Sequence, residues 1–315
     1  MNFSESKSIQ LKTDLLFTLR LLRRELRRMQ QMLRYRRFSL AGVPVLFANS
    51  FPKSGTHLLT QILQGFTRIG PAVSSGLPAI VTYNGFTGQP RPLEAILADL
   101  RRLKAGDTAY GHLHALPPIM DFLCRDGFAL FFILRDPRDV VVSHVHYSTD
   151  MAPGHIHHHY FQEVLSTFDE RLRASICGMD IESAPSPEIA FPSIAARFEP
   201  FLGWLDRPEM LVLHYEAFIR SREDTLQLML DYVVKRGFPL RRNGDGGCKA
   251  ANQAATRLDA IEALETSINP AGSPTFRRGK IGGWRDEFGP ENKRIFKEIA
   301  GDLLIRLGYE KDYDW

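Results

Sequence analysis

The chain has 315 residues, of which 44% are hydrophobic and 24% charged, which suffices for one large α/β domain or two smaller ones. No apolar run approaches about eighteen residues and the first residues lack a secretory-signal pattern, so the sequence predicts neither a membrane span nor a leader. Three widely spaced cysteines (Cys124, Cys177 and Cys248) indicate neither a disulfide framework nor a zinc site. They favour a reducing compartment, and we expect a cytoplasmic protein.

The basicity of the chain belongs to its first forty residues. Residues 1–40 hold ten basic and three acidic side chains, whereas the rest holds 30 basic and 33 acidic ones, for a net charge of +4. The body of the chain therefore gives no reason to expect a nucleic-acid partner. We divide the chain into an N-terminal segment, 1–40, and a domain, 41–315.

Residues 10–37 are predicted to form one basic amphipathic helix. Apolar side chains recur at alternating steps of four and three residues, namely Leu15, Leu19, Leu22, Leu26, Met29 and Leu33. One interpretation is that this leucine stripe packs on its own domain or on a second copy of the chain, with the arginine face in solvent. The other is that the helix makes a peripheral contact with an anionic membrane surface.

From residue 43 onward, short apolar strands alternate with helices. Strands are predicted at Val45–Asn49, Thr108–His112, Ala129–Leu134 and Met210–His214. Helices are predicted at Thr56–Thr67, Pro92–Leu103, Asp139–Tyr147, Tyr160–Cys177, Ile194–Trp204, Arg222–Arg236 and Glu291–Leu307. This alternation predicts an α/β fold with a mostly parallel sheet covered on both faces, whose ligand lies at the carboxyl ends of the strands.

The first chemical motif is the turn Pro52-Lys53-Ser54-Gly55-Thr56 between a strand and a helix. Unpaired N–H groups and the helix dipole at such a position favour an anion such as a phosphate. The turn does not match the G-x-x-x-x-G-K-[ST] pattern of nucleoside-triphosphate loops, because Lys53 precedes Gly55. We therefore expect a phosphate-like ligand other than ATP.

Two further clusters carry basic residues. Arg135 ends the strand that precedes Asp136-Pro137, and Ser143 lies one turn into the next helix. Both side chains could therefore face one anion-binding site. A surface network of Arg–Asp salt bridges explains the same residues equally well. Near the C-terminus, Phe276-Arg277-Arg278-Gly279-Lys280 describes a glycine-containing loop able to fold over an anion, or a solvated basic loop.

Taken together and in this order, the three clusters resemble the nucleotide signatures of the sulfotransferases that use 3′-phosphoadenosine 5′-phosphosulfate (PAPS). The resemblance covers about residues 43–312. Val212–Phe218 looks like the family's strand ending in Tyr-Glu, and Gly111–Pro117 looks like the segment with its catalytic histidine. The fold implied is a three-layer α/β/α sandwich of the P-loop type.

The resemblance also implies residue roles. Lys53, Ser54, Gly55 and Thr56, with the adjacent His57, would hold the 5′-phosphosulfate. The 3′-phosphate would be held by Arg135, Ser143, Arg277, Arg278 and Gly279. Tyr215 would lie near the adenine and Phe276 is a candidate to stack on it. His112 would be the general base, with His114 as its competitor, and Lys53 would assist catalysis. No metal is needed, because Lys and Arg meet the donor's charge.

Three positions depart from the family pattern. Leu58 replaces an aromatic residue that stacks on adenine, Tyr110 replaces a lysine two residues before the histidine, and Gly283 replaces an aspartate before Trp284. The missing lysine bears on rate and acceptor geometry, while the change at Gly283 is expected to matter little.

The histidine-rich segment His155–His159 admits three interpretations. The resemblance places it in the acceptor pocket or its lid, which we rank first, above a solvated loop and above a metal site. A metal site ranks last because ligands must converge and neighbouring loop residues seldom do so alone.

The function expected is sulfuryl transfer from PAPS, with PAP as product, to a hydroxyl of a small-molecule, lipid or saccharide acceptor. A non-catalytic nucleotide-binding or scaffold protein is an alternative, and a P-loop kinase is disfavoured by the absence of its motif. The acceptor cannot be read from the residues.

Overall fold

Six strands form one sheet in the computed structural model, which describes residues 3–85, 87–182, 184, 186–240, 249–269 and 279–315. The strands are β1 (Val45–Ser50), β2 (Val73–Ser74), β3 (Ile80–Val81), β4 (Asp107–His112), β5 (Phe128–Leu134) and β6 (Met210–His214). Their order is β2-β4-β1-β5-β6, and β3 pairs with β4 farther along the same edge as β2. All of these pairings are parallel, so the carboxyl ends of the strands lie at one edge of the sheet.

Helices precede and connect these strands. They are α1 (Phe3–Arg34), α2 (Thr56–Ile69), α3 (Leu93–Arg101), α4 (Pro117–Leu123), α5 (Pro137–His146), α6 (Phe168–Cys177), α7 (Ile194–Leu202), α8 (Tyr215–Arg220), α9 (Arg222–Lys235), α10 (Lys249–Glu265), α11 (Trp284–Glu287) and α12 (Pro290–Arg306). Short π-helical turns at Tyr147–Met151 and Tyr160–Val164 and a 3₁₀ turn at Pro187–Ile189 complete the set.

The four predicted strands are confirmed to within one residue at each end. β2 and β3 were not predicted, because a two-residue strand shows no periodicity. The helix predicted over Tyr160–Cys177 is wrong in its first half: a π-helical turn ends at Val164, and α6 starts afresh after Thr167. The Thr167 hydroxyl accepts from the Glu170 N–H and the Glu170 carboxylate accepts from the Thr167 N–H, a capping box that fixes this start.

The sheet is buried on both faces, as predicted. In β5, Phe131 and Ile133 pack with α2, α9 and α10, while Leu130 and Phe132 pack with helices on the other face, including α5, α6 and α12. Successive strand residues point to opposite faces, so an unbroken apolar strand fills two cores at once. The result is the predicted three-layer α/β/α arrangement.

The packing of α1 corrects one prediction. Its arginine face, not its leucine stripe, contacts the domain: the Arg28 guanidinium donates to Asp107 Oδ1 over 3.0 Å and Arg24 lies 3.4 Å from Oδ2 of the same fully buried carboxylate. Arg24 also donates to the Arg102 carbonyl over 2.8 Å. The six side chains of the stripe remain 39–79% exposed. The expected packing of the stripe on its own domain is therefore wrong, since Asp107 and nearby carbonyls attract the arginines instead.

Among the described residues, no helix combines the length and apolar character needed to cross a bilayer.

Candidate functional site

The turn between β1 and α2 lies at the carboxyl edge of the sheet. Lys53 and Gly55 both have left-handed backbone conformations, with φ of 70° and 105°, and Gly55 directly precedes the first residue of α2. A Cβ atom built at Gly55 would lie 2.7 Å from a Tyr215 ring carbon. The turn therefore requires glycine at this position, and it presents the free N–H groups of a helix start to the space in front of it.

Ser54 lies in the same turn with a buried hydroxyl. Its side chain is fully buried, and its Oγ has no hydrogen-bond partner among the described residues. A buried hydroxyl without a partner is costly, so its position favours a ligand that accepts from it.

Lys53 is packed against an aromatic ring and has no carboxylate partner in the part of the chain that the structure describes. Its Nζ lies 3.5 Å from the centroid of the Tyr147 ring. Burial, and then repulsion from Arg135, lowers the pKa of Lys53 to about 7. An anion bound here would favour the charged form of this lysine.

His112 is the last residue of β4 and lies beside the end of β1. Its Nδ1 is 2.9 Å from the Ser50 carbonyl oxygen, which can only accept, so Nδ1 carries the proton and Nε2 carries the lone pair. The Ser50 hydroxyl also lies 3.1 Å from Nδ1 and 2.7 Å from Thr56 Oγ1. Burial lowers the pKa of His112 to about 4 although the Ser50 hydrogen bond opposes the shift, so the ring is neutral at pH 7.

His114, the competing histidine, lies just beyond the end of β4. Its ring contacts Phe201 at 4.8 Å and Tyr83 at 5.5 Å between centroids. Burial also lowers its pKa. The difference from His112 is orientation, because within the described residues no carbonyl fixes the tautomer of the His114 ring as the Ser50 carbonyl fixes that of His112.

Arg135 follows β5 and faces the turn. Its Nη2 donates to the Lys280 carbonyl over 3.0 Å and lies 3.4 Å from Asp139 Oδ2, and its guanidinium lies 4.6 Å from the Tyr215 ring centroid. Its buried Nε has no partner among the described residues. A donor of this guanidinium is therefore left for a ligand.

The alternative of an Arg–Asp salt-bridge network holds in part, because Arg135 pairs with Asp139 and a further, buried network surrounds the neighbouring arginine. Arg138 is buried and pairs with Asp136 at 2.8 Å and Glu310 at 2.6 Å, beneath the rings of Trp284 and Trp315. This cluster fixes the start of α5 and the C-terminus, while Arg135 is left to face the site.

Asp139 attaches the C-terminal loop to this site. Its carboxylate accepts from the N–H groups of Gly282 and Trp284, each over 2.9 Å. Gly279 and Lys280 are thereby brought to the cavity beside Arg135. Phe276, Arg277 and Arg278, the other predicted residues of this loop, lie outside the described residues.

A cavity of about 1060 Å³ lies in front of the turn and of Arg135, and Ser54 lies behind its wall rather than in it. The predicted donor-site residues at its wall are Lys53, Gly55, Thr56, His57, Arg135, Ser143, Tyr215 and Gly279. Leu58 and Tyr110, two of the departures from the family pattern, also line it. Its remaining wall is rich in rings, from Phe51, Tyr83, Phe191 and Phe201.

The histidine-rich segment divides between cavity and surface. His155 and His157 line the cavity together with His144 from α5, so a fully solvated loop is wrong for these two. His159 is exposed and pairs with Glu163. The His158 ring donates from Nδ1 to the Ser148 carbonyl over 2.7 Å.

Sequence reasoning missed two supporting residues. Ser50 orients His112, and a polar residue at the end of an apolar strand was a usable signal for it. Tyr147 packs on Lys53 across about ninety residues of sequence, and no local pattern indicates such a contact.

A family model described as "Sulfotransferase domain" matches residues 45–308. No curated protein matches the chain significantly in sequence. The match leaves out α1 and covers every strand of the sheet.

Similar solved structures have low sequence identity to this chain. A retinol dehydratase crystallised with androsterone and the inactive cofactor PAP is 17% identical over 82% of this chain and 80% of its own, with a TM-score of 0.51. A mouse sulfotransferase crystallised with PAP is 17% identical over 85% of this chain and 89% of its own, with a TM-score of 0.49.

Proposed function

The chain belongs to the sulfotransferase family, and on that premise we propose that it transfers a sulfuryl group from PAPS to a hydroxyl of a small-molecule acceptor. The observation that carries the proposal is the set of donors without partners in the turn after β1 and at the end of β5. Within the described residues, Lys53 has no carboxylate partner, and Ser54 Oγ and Arg135 Nε are buried without hydrogen-bond partners. Such donors fit an anionic group.

The two ends of PAPS are assigned to two groups of residues. The turn of Lys53, Ser54, Gly55 and Thr56 would hold the 5′-phosphosulfate, with His57 beside it. Arg135 and Ser143, with Gly279 and the residues Arg277 and Arg278, would hold the 3′-phosphate. Tyr215 and Phe276 would contact the adenine. PAPS supplies the transferable sulfuryl group, and its charge is met by these side chains without a metal.

His112 is the proposed general base. Its Nε2 lone pair is available at neutral pH, because the Ser50 carbonyl holds the proton on Nδ1. The base takes the proton of the acceptor hydroxyl as that oxygen attacks. Lys53 and the start of α2 stabilise the charge that builds on the leaving phosphate.

The acceptor end of the cavity favours a ring-bearing alcohol or phenol. Phe51, Phe201 and Tyr83 provide an apolar wall beside His112 and His114. The retinol dehydratase structure with androsterone shows that this fold accommodates a steroid in a relative. We propose an acceptor of comparable kind, a small molecule with a hydroxyl on an apolar framework.

Calorimetric titration of the full chain tests the donor assignment. We expect PAP to bind about 10–100-fold more tightly than 5′-AMP, because the 3′-phosphate adds charge-assisted hydrogen bonds of about 1.5–3 kcal/mol. Arg135→Ala should remove most of this preference, and Arg220→Ala on the surface of α8 serves as the control. Equal affinities for PAP and 5′-AMP would contradict the donor assignment, and stronger binding of ATP would favour a kinase.

A further inference from the structure

Three histidines from two separate segments meet at the wall of the cavity. His144 lies in α5, whereas His155 and His157 lie in the segment between the two π-helical turns. One ring nitrogen from each lies within 4.8 Å of the others. A metal site ranked last on sequence grounds because loop neighbours seldom converge, and His144 provides the convergence that the loop alone lacks.

The hydrogen bonds around these rings leave nitrogens free. His144 Nδ1 lies 2.9 Å from the Ser175 hydroxyl, which itself donates to the Val141 carbonyl, so Nδ1 donates and Nε2 carries the lone pair. His157 is 8% exposed, and its buried Nδ1 has no partner among the described residues. His155 Nδ1 accepts a long hydrogen bond, 3.3 Å, from the His157 N–H, which ligation through either nitrogen of His155 would displace.

One hydrogen bond at the edge of the cluster matches a recurring feature of metal sites. The contact from Ser175 to His144 is the outer hydrogen bond that typically orients a ligating imidazole.

We propose that His144, His155 and His157 bind one zinc-class divalent metal ion per chain. Nitrogens around a tetrahedral zinc are about 3.3 Å apart for bonds of about 2.0–2.1 Å, so the rings must close by about 1–1.5 Å at most. Three protein ligands leave a position open for water or another oxygen. The proposal concerns binding by this chain and does not depend on the identity of the donor.

Two basic side chains lie close to the cluster. Arg197 donates from Nη2 to the carbonyl of Ser175, the residue whose hydroxyl contacts His144, over 2.5 Å. Lys53 and His155 contact the same Tyr147 ring. These positive charges favour an anionic oxygen, such as hydroxide, at the open position of a bound metal ion.

The test is zinc and cobalt(II) binding by the untagged full chain after dialysis against a chelator. We expect one ion per chain by elemental analysis and the visible absorption of tetrahedral cobalt in the wild type. His155→Ala and His157→Ala should each weaken binding at least about 100-fold, and Ser175→Ala about 10–100-fold. His159→Ala is the matched control, because this exposed histidine lies in the same segment and outside the cluster.

Circular dichroism of each variant shows whether it is folded. Absence of binding to the folded wild type would overturn the proposal. Equal loss of binding in His159→Ala and His157→Ala would do the same, since the metal would then be held by the surface of the segment.

A second observation concerns the face of α1 that points away from the domain. The leucine stripe is exposed along its length, and Phe38 just beyond the helix is fully exposed. Arg20, Arg23 and Arg34 are exposed beside the stripe, whereas Glu25 is engaged with Lys104 over 2.8 Å. An apolar stripe bordered by exposed positive charge is complementary to an anionic lipid surface. A second copy of the chain would bring arginines against arginines.

We infer that α1 binds the surface of anionic membranes, held in that orientation by the ion pairs of Arg24 and Arg28 with Asp107. The full chain should float with vesicles of phosphatidylserine and phosphatidylcholine, float weakly with phosphatidylcholine alone, and be released by salt. Leu19→Ser/Leu26→Ser should abolish flotation. Leu228→Ser, at an exposed leucine of α9, should not.

Equal flotation of the two variants, or none by the wild type, would overturn this inference. Light scattering could also overturn it, by showing that the chain forms a dimer without lipid and that only the Leu19→Ser/Leu26→Ser variant loses this dimer. The leucine stripe would then bind a second copy of the chain.

Discussion

At the scale of single residues, the site depends on two nitrogen bases that burial holds partly or wholly neutral. His112 is neutral and oriented by the Ser50 carbonyl, so it can accept a proton without first losing one. Lys53 is close to half protonated at neutral pH, and an anion would draw it to the charged form. The same desolvation therefore prepares one group as a base and makes the other responsive to the donor.

Lys53 makes donor binding depend on pH. Its pKa of about 7 in the free chain means that it is charged below this pH and neutral above it. We therefore expect the affinity for PAP to fall as the pH rises from 7 to 9. The fall is up to about tenfold per pH unit, as long as Lys53 stays protonated in the complex. The second phosphate pKa, about 6, does not interfere in this range.

Titration calorimetry in buffers across that range measures the effect. Lys53→Ala should bind PAP more weakly at pH 7 and show a flat profile. The same pH dependence in Lys53→Ala would assign the titration to another group, such as His57, whose pKa burial also lowers.

Residue identity at the site was accessible from sequence to different degrees. His112 ends a predicted strand, Arg135 directly follows one, and Lys53 lies in the turn after another. The fold class places ligands at these positions, so motif and spacing were enough to select the three residues. Tyr147 and His144 contact the site through the packing of α5 and the segment after it, which no local pattern determines.

At the scale of elements, the turn between β1 and α2 combines the start of a helix, a left-handed backbone conformation and close packing against the Tyr215 ring. Gly55 must have φ of 105° and also leaves room for the Tyr215 ring. This ring in turn contacts Arg135, so the turn and the end of β5 are fixed relative to each other.

Gly55→Ala tests how much this packing matters. We expect it to lower stability by about 2–4 kcal/mol, from about 1 kcal/mol of left-handed strain and the displacement of Tyr215, and to weaken PAP binding. Gly127→Ala is the matched control, because φ is 91° there and nothing lies within 4 Å of the added Cβ. Chemical denaturation measures the free energy of unfolding of both variants. Equal losses of stability would show that the backbone strain alone accounts for the effect and that the packing of Tyr215 adds nothing.

Elements were predictable where periodicity is long and apolar. β1, β5 and β6 follow from their runs of apolar residues. β2 and β3 have two residues each and are defined only by pairing with β4. The break between Val164 and Phe168 depends on the capping box at Thr167, a T-x-x-E signal within a segment that otherwise resembles one helix.

At the scale of the whole molecule, one buried carboxylate joins α1 to the sheet. Asp107 begins β4, is fully buried, and accepts from Arg28 at 3.0 Å and from the Lys104 N–H at 2.9 Å. Burial raises its pKa although both arginines oppose this. The periodicity of α1 predicted a helix correctly but not which face would meet the domain, because that depends on a partner about eighty residues away.

Asp107→Ala should release α1 and strongly destabilise the chain. Removing one member of a buried ion pair costs about 3–5 kcal/mol, since Arg24 and Arg28 are left without their carboxylate. We expect a lower melting temperature and faster proteolysis between α1 and β1. Glu94→Ala, which removes an exposed pair with Arg101, should change the melting temperature little. Equal melting temperatures for the two variants would show that the arginine face is not the anchor.

We propose that His112 is the base of a PAPS-dependent sulfuryl transfer. The most direct test of this role is to measure sulfuryl transfer from radiolabelled PAPS to a panel of alcohols, phenols, lipids and saccharides. The wild type should label a hydroxyl acceptor, and His112→Ala should lose about 10²–10⁴-fold or more in rate while it still binds PAP. His114→Ala should retain more activity than His112→Ala. Turnover of His112→Ala within a few-fold of the wild type would contradict the account.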